Sequence, residues 1–111
     1  MNRPLHLRII VFYSEGRWMA QCLEHDICVE TKDFHSLQKL MEAALRVEQN
    51  AHRASGQHGL DGLPPSPQLF LQMWNERSIF NELGKAAGVS YEMALYVEPS
   101  SPADNAMSAS V

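Results

Sequence analysis

Between Leu5 and Tyr13 apolar and polar positions alternate, with Leu5, Leu7, Ile9, Val11 and Tyr13 on one face and His6, Arg8, Ile10 and Phe12 on the other. A period of two in a stretch rich in β-branched and aromatic residues predicts a strand. Apolar residues on both of its faces predict a central position or a covered back face. Ser14-Glu15-Gly16 reads as a tight turn, because Gly16 tolerates the left-handed conformation that short hairpin loops need. A second strand follows from Arg17 to Leu23, with Trp18, Ala20 and Cys22 on one face. After the turn Glu24-His25-Asp26, the segment Ile27–Thr31 returns as a third strand.

From Ser36 the period switches to that of a helix, and Leu37, Leu40, Met41, Ala44, Leu45, Val47 and Ala51 form one apolar stripe suited to covering a sheet. Asp33 or Ser36 can cap its start. Ser55–Pro67 is a Gly- and Pro-rich loop, after which Ser66 is placed to cap a second helix and Pro67 to occupy its first turn. Leu69, Phe70, Met73, Trp74 and Arg77 recur at helical spacing, running on to Ile79 or Phe80. The LGKAAG segment from Leu83 to Gly88 would end that helix or add one turn. Ser90–Glu98 alternates again and predicts a half-exposed strand beside one edge of the meander. The expected fold is therefore α+β: a three-stranded antiparallel meander covered by a long helix, then a short second helix and a C-terminal strand, in the order β-β-β-α-α-β. Residues 1–98 form one domain in this reading, and 99–111, poor in large apolar residues, form a disordered tail.

Composition narrows the function. The 111 residues carry a formal net charge of -4, which argues against a protein that coats phosphates and points to a neutral or basic partner. Two cysteines without a secretory leader fit a reducing cytoplasm, and no apolar run is long enough to span a membrane. Cys22, His25, Cys28 and His35 have side chains that bind zinc, and Cys22 and Cys28 would face each other across a turn centred on His25. His35 lies too far along the chain to complete a knuckle, so the thiols read as small core residues. No paired carboxylates, phosphate-cradling glycine loop or nucleophile–base arrangement stands out, so neither enzyme activity nor a cofactor is expected. Arg46, Arg53 and Arg77 form no basic stripe with interleaved aromatics, and nucleic-acid binding by this chain alone is not expected. His6, His52 and His58 are not spaced for joint work. The aromatic set Phe70, Trp74 and Phe80 suits either a docking face or, by the simpler reading, a helix closing the core.

The stretch WMAQCLEHDICVETKDFHSLQKLMEAALRVEQ resembles the HicB-like antitoxin family. It has an aromatic-led strand at Trp18, an acidic turn at Glu24 and Asp26, a short strand at Cys28-Val29, and a helix opening with Ser36-Leu37 and continuing through Ala44-Leu45. The match covers residues 5 to 53. It departs from the family pattern at Ile27, at the KDFHS helix entry and at Lys39, where a capping-box Glu is expected. The resemblance implies a partial double-stranded-RNA-binding-like fold and a homo-oligomeric antitoxin that binds and neutralises a small basic ribonuclease toxin. Partner contacts would come from Glu24, His25 and Asp26 and from Phe70, Trp74 and Arg77. The alternatives are a DNA-binding repressor using residues 75 to 98, or a stand-alone oligomeric scaffold without a toxin.

Overall fold

The computed structural model describes residues 6–54, 63–86 and 88–98, without the side chains of residues 52 and 53. The expected disordered tail, most of the loop before Leu63, and the side chains of His52, Arg53 and His58 lie outside the described residues. The elements are β1 (His6–Ser14), β2 (Arg17–Cys22), β3 (Cys28–Thr31), a 3-10 turn (Phe34–Ser36), α1 (Leu37–Ala54), α2 (Gln68–Asn75), β4 (Glu82–Ala86) and β5 (Val89–Leu95). They build one five-stranded mixed sheet in the order β3-β2-β1-β5-β4.

This corrects the expected β-β-β-α-α-β arrangement in two ways. The C-terminal strand, β5, does lie beside the meander, but it pairs in parallel with β1 from His6↔Ser90 to Val11↔Leu95, which makes β1 the central strand. A further strand, β4, then pairs antiparallel with β5 and forms the edge. Of the LGKAAG segment, residues 83–86 are therefore sheet, not a helix end. Gly84 permits this because it sits over Tyr91, where an added Cβ would come within 2.5 Å of Cζ, and Gly88, at φ 78°, turns the chain back. At the other hairpin Glu15 and Gly16 both have positive φ, closing Ser14 onto Arg17 with a two-residue turn.

The two-sided hydrophobicity of β1 is used on both faces. Leu7, Ile9 and Val11 join Ala20, Cys22, Tyr91 and Met93 in a core beneath α1, whose Leu37, Met41 and Leu45 are buried. The buried stripe of α1 is narrower than its apolar pattern. Residues 37, 41 and 45 follow one row spaced by four, Gln49 continues it, and Leu40, Val47 and Ala51 remain exposed. Asp33 caps the 3-10 turn that leads into α1, accepting hydrogen bonds from the His35 N–H at 3.1 Å and the Ser36 hydroxyl at 2.8 Å. These bonds, the Ser36 one foremost, hold its carboxyl below the usual range.

On the opposite face Ile10, Leu23 and Ala94 are buried under Trp74 of α2, with Phe12, Phe70, Met73 and Tyr96 packed around them. The second helix thus covers the back of the sheet and does not extend the first core. Its N-cap position is Pro67, without a side-chain cap bond. Ser66 falls one residue too early, its backbone N–H donating instead to the Leu23 carbonyl at 3.0 Å. The helix ends at Asn75, beyond which Ile79 is fully exposed and Phe80 crosses to pack on the α1 side.

Candidate functional site

The residues of the acidic turn each have a partner within the chain. Glu24 receives the Arg8 backbone N–H at 2.8 Å and the Arg8 Nε–H at 2.5 Å, which ties the turn to β1. Asp26 accepts from the Gln21 side chain at 3.0 Å and remains exposed. His25 is buried: its Nδ1 lies 3.5 Å from the Leu63 carbonyl oxygen, and its Nε2 has no hydrogen-bond partner among the described residues. Over this turn runs the start of the segment leading into α2, with the Asp26 N–H donating to the Pro64 carbonyl at 2.7 Å. The turn and the approach to α2, distant in sequence, are thereby one junction.

Within α2, Trp74 is buried and Phe70 packs against Phe12 with ring centroids 5.8 Å apart. Arg77 is exposed but anchored, its Cζ 4.5 Å from the Trp74 ring centroid and its Nη1 donating to the Trp74 carbonyl at 2.9 Å. The structure places Phe70 and Trp74 on one helix and Arg77 just beyond its cap, and joins Glu24, His25 and Asp26 at the junction with the helix approach. The cysteines part company. Gln21 is paired with Cys28, and the Cys22 N–H donates to Ile27, so Cys22 and Cys28 point to opposite faces and do not meet across the ladder. Cys22 is buried in the α1 core and Cys28 is exposed. Burial pushes the Cys22 thiol up to about 11 and also raises that of Cys28. Among the described residues no group of three His, Cys, Asp or Glu side chains is placed to hold a metal ion.

A further surface with binding character lies elsewhere, at the end of the sheet where β1 and β5 finish. Tyr13, Leu69 and Val97 are 57%, 60% and 60% exposed there. They belong to two adjoining hollows of about 150 Å³ and 280 Å³ that share Tyr13, Tyr96 and Glu98. The smaller hollow adds Trp18, Leu95 and Val97, and the larger adds Phe12, Leu69 and Met73. Parallel pairing creates this site: it ends β5 beside Val11, with the Tyr96 N–H donating to the Val11 carbonyl at 2.7 Å, and so delivers Tyr96 to Glu98 next to Tyr13. No local pattern singles out Tyr13, Tyr96 or Glu98, because their proximity depends on a pairing across most of the chain. A further pocket of about 140 Å³ opens between α1 and the sheet, with Val11, Leu37, Phe80 and Met93 among its apolar walls and His35, Gln38 and Glu82 as polar ones. Gln38 is already engaged there, donating to the Tyr91 hydroxyl at 2.7 Å.

Exposed aromatic and aliphatic side chains clustered around a single carboxylate are suited to docking another molecule's surface. Among the described residues no helix is long and apolar enough to cross a membrane. No protein-family model, curated protein or solved structure matches this chain.

Proposed function

We propose that the chain is a protein-interaction module rather than an enzyme, an antitoxin-like protein of the HicB type that binds and neutralises a small basic ribonuclease toxin and acts as a homo-oligomer in the cytoplasm. One observation carries this reading: Tyr13, Leu69 and Val97 stand exposed around hollows whose only charged lining residue, among the described residues, is Glu98. Large apolar side chains held in water at one end of a sheet gain free energy when a partner covers them, and a carboxylate among them favours a basic partner. The net charge of -4 acts in the same direction over longer range. Cys22 and Cys28, free and on opposite faces, are compatible with a reducing compartment. β3 and β4, the terminal strands of the sheet, carry backbone groups through which copies can pair.

The repressor alternative needs residues 75 to 98 for a reading helix or a free ribbon, whereas β4 and β5 use half of that segment inside the sheet. The interaction reading is tested by affinity capture of the tagged chain from its native host. The expected result is a small basic protein that cleaves RNA when purified alone and stops when the chain is added back. Capture of no such protein, or a captured protein whose ribonuclease activity is indifferent to the chain, overturns the reading.

A further inference from the structure

The smaller hollow has a more specific chemistry than apolar docking. Three aromatic side chains, Tyr13, Trp18 and Tyr96, line it together with Glu98 and the aliphatic Leu95 and Val97. The Tyr13 and Trp18 rings meet edge to face, with centroids 5.0 Å apart and planes at 64°. An edge-to-face contact occupies one face of one ring and leaves the other faces, where the negative electrostatic potential lies, clear of it. Trp18 also meets Phe34 edge to face, at 4.8 Å and 65°. No cationic side chain of the described residues lines the hollow. Arg17, adjacent in sequence, belongs to the opposite face of β2 and lies 3.8 Å from Glu30.

Aromatic faces beside a carboxylate with no ion-pair partner among the described residues attract an organic cation, the rings through their quadrupoles and the carboxylate through charge-assisted hydrogen bonds. A guanidinium suits both because it stacks flat on a ring and presents forked donors to a carboxylate. Arg77 on Trp74 already shows this chemistry within the molecule, on the other face of the sheet. We propose that the hollow formed by Tyr13, Trp18, Tyr96 and Glu98 is the subsite that receives an arginine side chain from the protein partner. The inference rests on the interaction reading above and names the chemical group that reading would recognise.

The test uses the full chain and N-acetyl-L-arginine amide as probe, with the neutral isostere N-acetyl-L-citrulline amide as control, both followed by NMR. Saturable shifts are expected at the Trp18 indole N–H and the Val97 and Glu98 amides, with the citrulline compound about tenfold weaker. Glu98→Gln and Tyr13→Leu, at exposed positions outside both cores, should each weaken the arginine probe about three- to tenfold while the remaining amide spectrum stays unchanged. Equal affinity for the two probes, shifts centred away from Trp18, or no response to either substitution overturns the subsite. The two readings fail separately. A captured toxin whose binding ignores Glu98→Gln and Tyr13→Leu leaves the interaction module standing and removes the subsite, whereas arginine-selective binding without any captured toxin does the reverse.

Discussion

Gly84 and Tyr91 show how much can hang on one contact. Tyr91 is buried beneath α1, accepts from Gln38 and donates its hydroxyl to Glu42, and is approached by β4 only because Gly84 has no side chain. Burial first, and the bond to Glu42 second, push the Tyr91 hydroxyl up from 10.0 to about 12. In the unfolded chain this proton leaves first, so stability present below pH 10 drains away as pH rises towards about 12. Denaturant unfolding across that window should show the loss, and Tyr91→Phe should flatten it while costing about 1–3 kcal/mol at neutral pH through the unpaired Gln38 and Glu42 groups. An unchanged alkaline slope in Tyr91→Phe would count against this assignment. The cysteines give a second test at the same scale. Thiol titration should find Cys28 accessible and Cys22 reactive only after unfolding, with no intramolecular disulfide under mild oxidation, because a register of Gln21 on Cys28 puts the two sulfurs on opposite faces.

Between the two helices, similar apolar patterns lead to different burial. α1 buries Leu37, Met41 and Leu45 but leaves Val47 64% exposed, while α2, only eight residues long, buries Trp74 against Ile10, Leu23 and Ala94. Trp74→Ala should therefore cost about 3–5 kcal/mol in chemical denaturation, as expected for emptying a buried aromatic site. Val47→Glu should change stability by no more than about 0.5 kcal/mol. A reversal of that order would mean that α2 is not the cover of the back face. The amphipathic stripe alone leaves this undecided, since a helix of 18 residues offers more apolar positions than its contact with a twisted sheet can use.

At the scale of the whole molecule, the sheet is completed by its last strands. β1 has β2 on one side and β5 on the other, and His6 and Ser90, 84 residues apart, are neighbours in the ladder. A chain ending at Asn75 retains the meander and both helices but lacks the strand that pairs the other edge of β1. Such a truncation should show no cooperative thermal transition by circular dichroism, whereas a self-sufficient meander and helix would still melt sharply.

Local pattern determined much of this protein. The alternation in Leu5–Tyr13, the turn at Gly16, the 3.6 period after Ser36 and the alternation after Ser90 each report which side chains a strand or helix must keep from water, a property that resides in neighbouring residues. Ala94 and Trp74 illustrate what that pattern cannot carry, because their burial requires a back face to be covered by a helix from elsewhere in the chain. The strand identity of Glu82–Ala86 depended on Tyr91 lying beneath Gly84, and the separation of Cys22 from Cys28 on a one-residue register. The same holds for the surface assigned to binding. Tyr13, Trp18, Tyr96 and Glu98 come together only because β5 runs parallel to β1, a pairing decided by the packing of both faces of the sheet and not by any of those four residues alone.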